Sequence, residues 1–465
     1  MGKARAPQTT NAKGEIVIKD SYRQLGLPKT LLLGLQHMFA MFGATILIPL
    51  IGGLSVQVTL IGVGVGTLIF HIISKGRVPV FLGSSFAFLV GIQLVTNPEQ
   101  GVFAGTGMTH AEKLPYATGA IMVAGLLYVV LAIIVKVVGV KTVMRYLPPV
   151  VTGPIVMLIG FMLAPFAIDM SSNNLLLAIT ALCIVVIAAV WGKGMVKVVP
   201  MILGLLGGYA LALILHFVFG ASNPDGSAIF EFSQIAQANI VGAPPFAFAR
   251  FNLSAILIMA PFALATIAEH IADMVILSDV CEEDFMKDPG LVRTLIGDGL
   301  ATCFSGLIGG PASTTYSENV GLVVLTKIHD AKVVILAAIY ATILGFMPIV
   351  SEVIYTIPDA VVGGVSFVLY GMIAAVGVRS LVESRVDIGE TRNLMIVSII
   401  MIAGLGLRFG PPITIAIGDF NLPIGRLSLA IACILGIVLN IILPGKKDYD
   451  LPGMASQTKE EAKVD

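Results

Sequence analysis

The sequence predicts an all-α polytopic membrane protein of about fourteen transmembrane segments, arranged as two inverted repeats of seven. Three observations carry this. Hydrophobic residues make up 57% of the chain and charged residues 12%, with a mean hydropathy of +0.96, whereas a soluble domain is about one-quarter charged. Apolar stretches recur at the length a bilayer requires, roughly 20 residues per helix. Lys and Arg fall on alternate loops, as the positive-inside rule demands.

In order, the apolar segments are 30–51, 56–74, 79–95, 117–139, 147–168, 174–191, 197–219, 252–277, 290–308, 311–326, 332–355, 358–378, 393–407 and 425–443. An even count puts both termini on one side. With both inside, the outer loops carry only Lys113, Arg250, Arg408 and Arg426. The pairs Lys75/Arg77, Lys193/Lys197 and Lys327/Lys332 then lie inside. Residues 1–29 and 444–465 read as polar cytoplasmic tails, and the N-terminus shows no removable signal peptide. Cys183, Cys281, Cys303 and Cys433 are scattered, without metal or disulfide spacing. The expected surroundings are a lipid bilayer; no nucleic-acid partner, metal or cofactor is expected.

The long outer loop 220–251 divides the spans into two sevens. Gln36-His37 in span 1 is answered by Glu269-His270 in span 8. Pro79 with Gly83-Ser84-Ser85-Phe86 in span 3 is answered by Pro311 with Ser313-Thr314-Thr315-Tyr316 in span 10. Pro148-x-x-Val151-x-Gly153 in span 5 is answered by Pro358-x-x-Val361-x-Gly363 in span 12. Seven is odd, so the halves have opposite topology. This is the pattern of secondary transporters, whose short interrupted segments mark the binding site. The glycines Gly62, Gly64 and Gly66, and those from Gly204 to Gly208, read as close helix packing rather than a nucleotide loop.

Pro311–Lys327, PASTTYSENVGLVVLTK, is too short and too polar in its first half for an ordinary membrane helix, yet apolar segments surround it. Irregular polar backbone at membrane depth is tolerated only inside protein or against a cavity, and an acid there is a functional candidate. Tyr316, Ser317 and Glu318 are therefore expected at a substrate site, with a helix beginning near Ser317 whose N–H groups can donate to a carbonyl or an anion. Phe86 in span 3 offers a flat stacking surface. In span 8, Glu269 and Asp273 are four apart and share a helical face; two carboxylates side by side repel, which favours holding a proton. His37 is expected to orient Tyr316 or relay a proton. His71 and His216 are expected near the membrane interface, Asp298 on neighbouring backbone or a histidine, and Tyr370 at the closing wall. No zinc-protease, nucleophile-elbow or phosphate-loop motif appears, so no enzymatic activity is expected.

At these residues the chain resembles the nucleobase–ascorbate transporter family, and within it the bacterial uracil permeases. Glu318-Asn319-Val320-Gly321 through Thr326-Lys327 fits the family signature. Gln36-His37-Met38-Phe39-Ala40-Met41-Phe42-Gly43-Ala44-Thr45, Gly83-Ser84-Ser85-Phe86-Ala87-Phe88 and Thr314-Thr315-Tyr316 resemble the uracil branch. The resemblance departs at Asp273, where that branch often carries His, and at Ser317, where Gly is common. It implies a core domain of spans 1–4 and 8–11 (30–139 and 252–355) and a gate domain of spans 5–7 and 12–14 (140–219 and 356–443). It also implies short strands opening spans 3 and 10. Glu269 and Glu318 would hold the uracil ring, Phe86 would stack, the Ser317 and Glu318 amides would meet a carbonyl, and Tyr316 would hold the site with His37. Tyr370 would approach from the gate, and Glu269, Asp273 and His37 would couple a proton. The implied partners are uracil, a proton and a second copy of the chain. A xanthine or urate permease of the same fold, an anion transporter or channel, and an intramembrane enzyme are the alternatives.

Overall fold

The computed structural model describes residues 9–10, 16–98, 101–220, 222–223, 226, 228–230, 232–411, 413–417 and 420–445. The expected C-terminal tail from 446 on, and residues 1–8 and 11–15 of the N-terminal tail, lie outside these. The first half runs α1 (Leu27–Gly52), α2 (Val56–Ile73), β1 (Leu82–Ser84), α3 (Ala87–Thr96), α4 (His110–Val138), α5 (Pro149–Ser172), α6 (Leu175–Trp191) and α7 (Pro200–Phe219). The second runs α8 (Leu253–Cys281), α9 (Leu291–Leu307), β2 (Ser313–Thr315), α10 (Ser317–Thr326), α11 (Ala331–Gly345), α12 (Asp359–Glu383), α13 (Thr391–Phe409) and α14 (Ser428–Ile442). Among the described residues eight helices are long and apolar enough to cross a membrane, or nine with one bent pair counted as a span.

Local chemistry sets the ends. Ser55, Asn252 and Asp330 cap α2, α8 and α11 by accepting from backbone N–H groups in the first turn. Thr109 and Glu112 form a reciprocal capping box at α4. Gly53, at φ +69°, closes α1 with a left-handed residue. The segment expected as one span at 332–355 is instead broken: α11 ends at Gly345, and Pro348–Tyr355 leaves it at 82°. Pro348 has no N–H to continue the ladder and restricts the residue before it.

The two short strands pair antiparallel, with Leu82 opposite Thr315, Gly83 opposite Thr314 and Ser84 opposite Ser313. Each is also clamped on its outer side by a threonine of the preceding helix. In α2, Thr67 Oγ1 donates to Leu82 O at 3.2 Å and accepts from Leu82 N at 3.0 Å. In α9, Thr302 Oγ1 donates to Ser313 O at 2.9 Å and accepts from Ser313 N at 3.2 Å. These clamps satisfy backbone groups that would otherwise be costly at membrane depth.

Helices α1, α2, α4, α8, α9 and α11 pack chiefly on one another, and α5, α6, α7, α12, α13 and α14 form a second packed group. Glycine governs the closest crossings. A Cβ on Gly153 would lie 3.0 Å from Gly377 O, and one on Gly377 would lie 2.5 Å from Gly153 O. At the other end of the same pair, a Cβ on Gly363 would lie 2.6 Å from Ser171 N. The start of α5 thus meets the end of α12 and the reverse, so the helices carrying the matched Pro-x-x-Val-x-Gly motifs run antiparallel. Small residues let membrane helices approach this closely.

Candidate functional site

A cavity of about 250 Å³ opens between the two helix groups. One wall is built from β1, α3, β2 and α8: Ser84, Phe86, Thr266, Glu269, Thr314, Thr315 and Tyr316 line it. The facing wall is aliphatic, with Val156 and Ile159 from α5 and Leu369, Met372, Ile373 and Val376 from α12. Its volume lies below the roughly 300–1,000 Å³ of sites for drug-sized ligands. Hydroxyls crowd one side, Glu269 supplies a carboxylate, Phe86 a ring, and apolar contacts close the other side. Such an arrangement takes a small flat ligand with polar edges.

The strands position the polar wall. Tyr316 donates its hydroxyl to Ser84 O at 2.9 Å, crossing from β2 to β1. Its ring lies against Gly83, where any Cβ would come 2.3 Å from the ring carbons. Tyr316 leads directly into α10, which starts at Ser317 without a side-chain cap. The side chains of Ser317 and Glu318 lie outside the described residues. Their neighbour Asn319 is fully buried, and its carboxamide has no partner among the described residues.

Several sequence expectations resolve differently. Asp273 shares the α8 face with Glu269 but does not line the cavity; it is 3% exposed and accepts from Thr315 Oγ1 at 2.7 Å, tying β2 to α8. Tyr316 is oriented by Ser84, whereas His37 is 1% exposed with neither ring nitrogen partnered among the described residues. Tyr370 is buried in α12 and is not among the lining residues; its neighbours Leu369, Met372, Ile373 and Val376 are. His71, expected at an interface, is buried beside Phe70. His216 is half-buried, edge-on to Phe230. Asp298, expected on neighbouring backbone or a histidine, does face a histidine, His270, with Oδ2 3.1 Å from Nδ1 and both side chains 0% exposed.

Sequence reasoning missed Thr266, Thr315 and the aliphatic wall. A signal existed for the wall, since Leu369, Met372, Ile373 and Val376 follow helical spacing. A span that is apolar all round does not show which face it turns inward. Thr266 lies one turn before Glu269 on α8, the only hint of its place. It accepts from the Tyr128 hydroxyl and donates to Phe262 O at 3.0 Å.

The sequence profile of the Permease family matches residues 28–413. The chain is 37% identical over 433 residues to the uracil permease of Bacillus caldolyticus, covering 89% of this chain and 92% of that protein. It is 35% identical over 452 residues to the putative pyrimidine permease RutG of Escherichia coli strain K12, covering 96% of each. Among solved structures, it is similar to the transmembrane domain of the cyanobacterial bicarbonate transporter BicA. There the TM-score is 0.58 at 15% identity, covering 92% of this chain and all (100%) of that one. Murine Slc26a9, an anion transporter in the inward-facing state, gives a TM-score of 0.55 at 12% identity, over 89% of this chain and 68% of that one. At such identities these two likenesses bear on fold alone: a helical membrane transporter fold. With a family profile covering most of its length and relatives this similar across nearly all of it, the chain belongs to the Permease family, the nucleobase–ascorbate transporters, and is a multi-pass membrane protein.

Proposed function

We propose that the protein imports uracil across the cytoplasmic membrane by proton symport. The observation that carries this is the small cavity between two separately packed helix groups, with Glu269 and five hydroxyl side chains on one wall and only aliphatic groups opposite. Uracil is planar, with N–H and C=O groups on its edges and an apolar C–H edge. Glu269 accepts from a ring N–H, and Glu318 and the amides opening α10 meet the rest of the polar edge. Phe86 stacks on the face. The aliphatic wall receives the C–H edge, with Tyr370 behind it. Relatives named as uracil permeases support the substrate class.

In this reading the α1–α4 and α8–α11 group is the core and the α5–α7 and α12–α14 group the gate. The whole forms two inverted repeats in about fourteen spans with both termini cytoplasmic, and pairs as a homodimer. A proton taken up near Glu269 and Asp273, relayed by His37, removes the repulsion between the two carboxylates and lets uracil bind. Relative motion of core and gate then exposes the cavity to the other side. One proton moving inward contributes roughly 2.3 kcal/mol per 100 mV and about 1.4 kcal/mol per pH unit, enough to concentrate a neutral solute strongly.

The test is radiolabelled uracil uptake into proteoliposomes under an imposed inward proton gradient. Uptake that collapses with a protonophore and resists excess xanthine is expected. Uptake indifferent to the gradient would remove proton coupling; uptake blocked by xanthine, or none for uracil, would move the substrate to purines.

A further inference from the structure

Asp298 stands in α9 between Gly297 and Gly299, and both glycines are used. A Cβ on Gly297 would lie 2.9 Å from the Phe70 ring of α2, and one on Gly299 would lie 2.7 Å from Tyr128 Cβ of α4. Their absence lets α2 and α4 close around the carboxylate, which is 0% exposed. From α8, His270 faces it: Nδ1 is 3.1 Å from Oδ2 and the imidazole is also 0% exposed. Asp298 Oδ1 and His270 Nε2 have no hydrogen-bond partner among the described residues. Phe70 covers the imidazole edge-on at 6.3 Å between centroids, with His71 beyond it at 5.7 Å. The Tyr128 hydroxyl of α4 donates to Thr266 on the cavity wall.

A sealed site of this kind tolerates little net charge. His270 is also the residue after Glu269, so the two point about 100° apart around α8. Anchoring one sets the direction of the other.

We propose that His270 and Asp298 are a positioning pair: their buried polar contact fixes the rotation of α8 so that Glu269 faces the cavity. This rests on the reading of Glu269 as a substrate ligand. An apolar pair would seal the same space without holding that angle.

The experiment measures uracil binding and transport kinetics on purified, reconstituted protein whose folding is checked by monodisperse gel filtration. Asp298→Ala is expected to weaken uracil binding by about ten-fold or more, raising KM while the rate at saturating uracil changes less. The joined pair His270→Gln with Asp298→Asn keeps a polar contact and is expected to recover binding to within about three-fold of the unsubstituted protein. The apolar pair His270→Phe with Asp298→Leu is expected not to recover it, and it decides the matter if Asp298→Ala fails to fold. Unchanged binding in Asp298→Ala or in the apolar pair would overturn the proposal, as would an amide pair no better than the apolar one. Glu269→Gln serves as the reference. If it binds uracil normally, the substrate-ligand reading fails; if it alone loses binding, only the positioning role fails.

Discussion

Tyr316 and Gly83 are in face contact across the strand pair: the tyrosine ring occupies the volume a side chain at position 83 would need, and its hydroxyl reaches on to Ser84 O at 2.9 Å. The ring thereby fixes the register of β1 against β2 and the direction in which α10 leaves the sheet. Gly83→Ala would put a methyl 2.3 Å from the ring, forcing tyrosine or strand to move. Overpacking of this kind costs about 1–3 kcal/mol. The expected outcome is a lower melting temperature in detergent and a loss of substrate uptake. Tyr316→Phe keeps the ring and removes one hydrogen bond, about 0.5–1.5 kcal/mol, so it should be the milder change. Equal damage from both would show that the hydroxyl, not the packing, holds the strands.

Thr315 links the cavity wall to Asp273, donating at 2.7 Å to a carboxylate that is 3% exposed. Hydrogen bonds to charged groups contribute about 1.5–3 kcal/mol. Thr315→Val, matched in shape, should lower the melting temperature and weaken substrate affinity, whereas Thr315→Ser should retain most of both. Normal affinity in the valine variant would separate Asp273 from the site.

The segment ahead of α1 is bound to the turn between α10 and α11. Ser21 N and Oγ each donate to Asp330 Oδ2 at 2.7 Å, while Asp330 Oδ1 accepts from Lys332 N at 3.0 Å. Ile18 N donates to Lys327 O at 3.0 Å, and His329 N to Ile18 O at 2.8 Å. Asp330→Ala leaves a buried N–H and hydroxyl unsatisfied, about 1–3 kcal/mol for such a group. The surface pair Lys19–Glu283, at 2.6 Å with both partners well exposed, is worth about 0–1 kcal/mol. Thermal unfolding should rank Asp330→Ala far above Glu283→Gln in cost; the reverse order would contradict the buried clasp.

His329 lies in that same turn, where burial, with Lys19 acting in the same direction, holds its imidazole below the ordinary histidine value against the opposing pull of Glu283 and Glu282. A histidine depressed in the folded state binds its proton more readily when unfolded. Its stabilising contribution is therefore full above about pH 6.5 and is lost as pH falls through that value toward the folded-state one. His329→Gln should flatten the fall in melting temperature between about pH 7 and 5. An unchanged slope would assign the effect elsewhere.

Hydropathy made most of the helices legible, because bilayer thickness sets their length. Gly153 and Gly363, matched in the sequence, occupy mirrored ends of the α5–α12 crossing. What the sequence hid was azimuth and long-range partnership. Tyr370 was read as a wall residue, but α12 turns Leu369, Met372 and Ile373 to the cavity instead, and an all-apolar helix does not display its inward face. Asp298 and His270 are both conspicuous, yet nothing local joins residues 28 positions apart on different helices. His71 sits near a helix end and still falls inside.

The central claim is that the cavity between α8 and α12 is where uracil sits. Met372 lines it and is 48% exposed, so Met372→Cys, made with Cys183→Ser to remove the exposed native thiol, places a reactive group on its wall. The measurement is the rate of maleimide labelling of reconstituted protein with increasing uracil. Labelling that slows as uracil saturates, and is unaffected by an equal concentration of xanthine, is the result predicted. Labelling indifferent to uracil in protein that still transports it would place the substrate elsewhere.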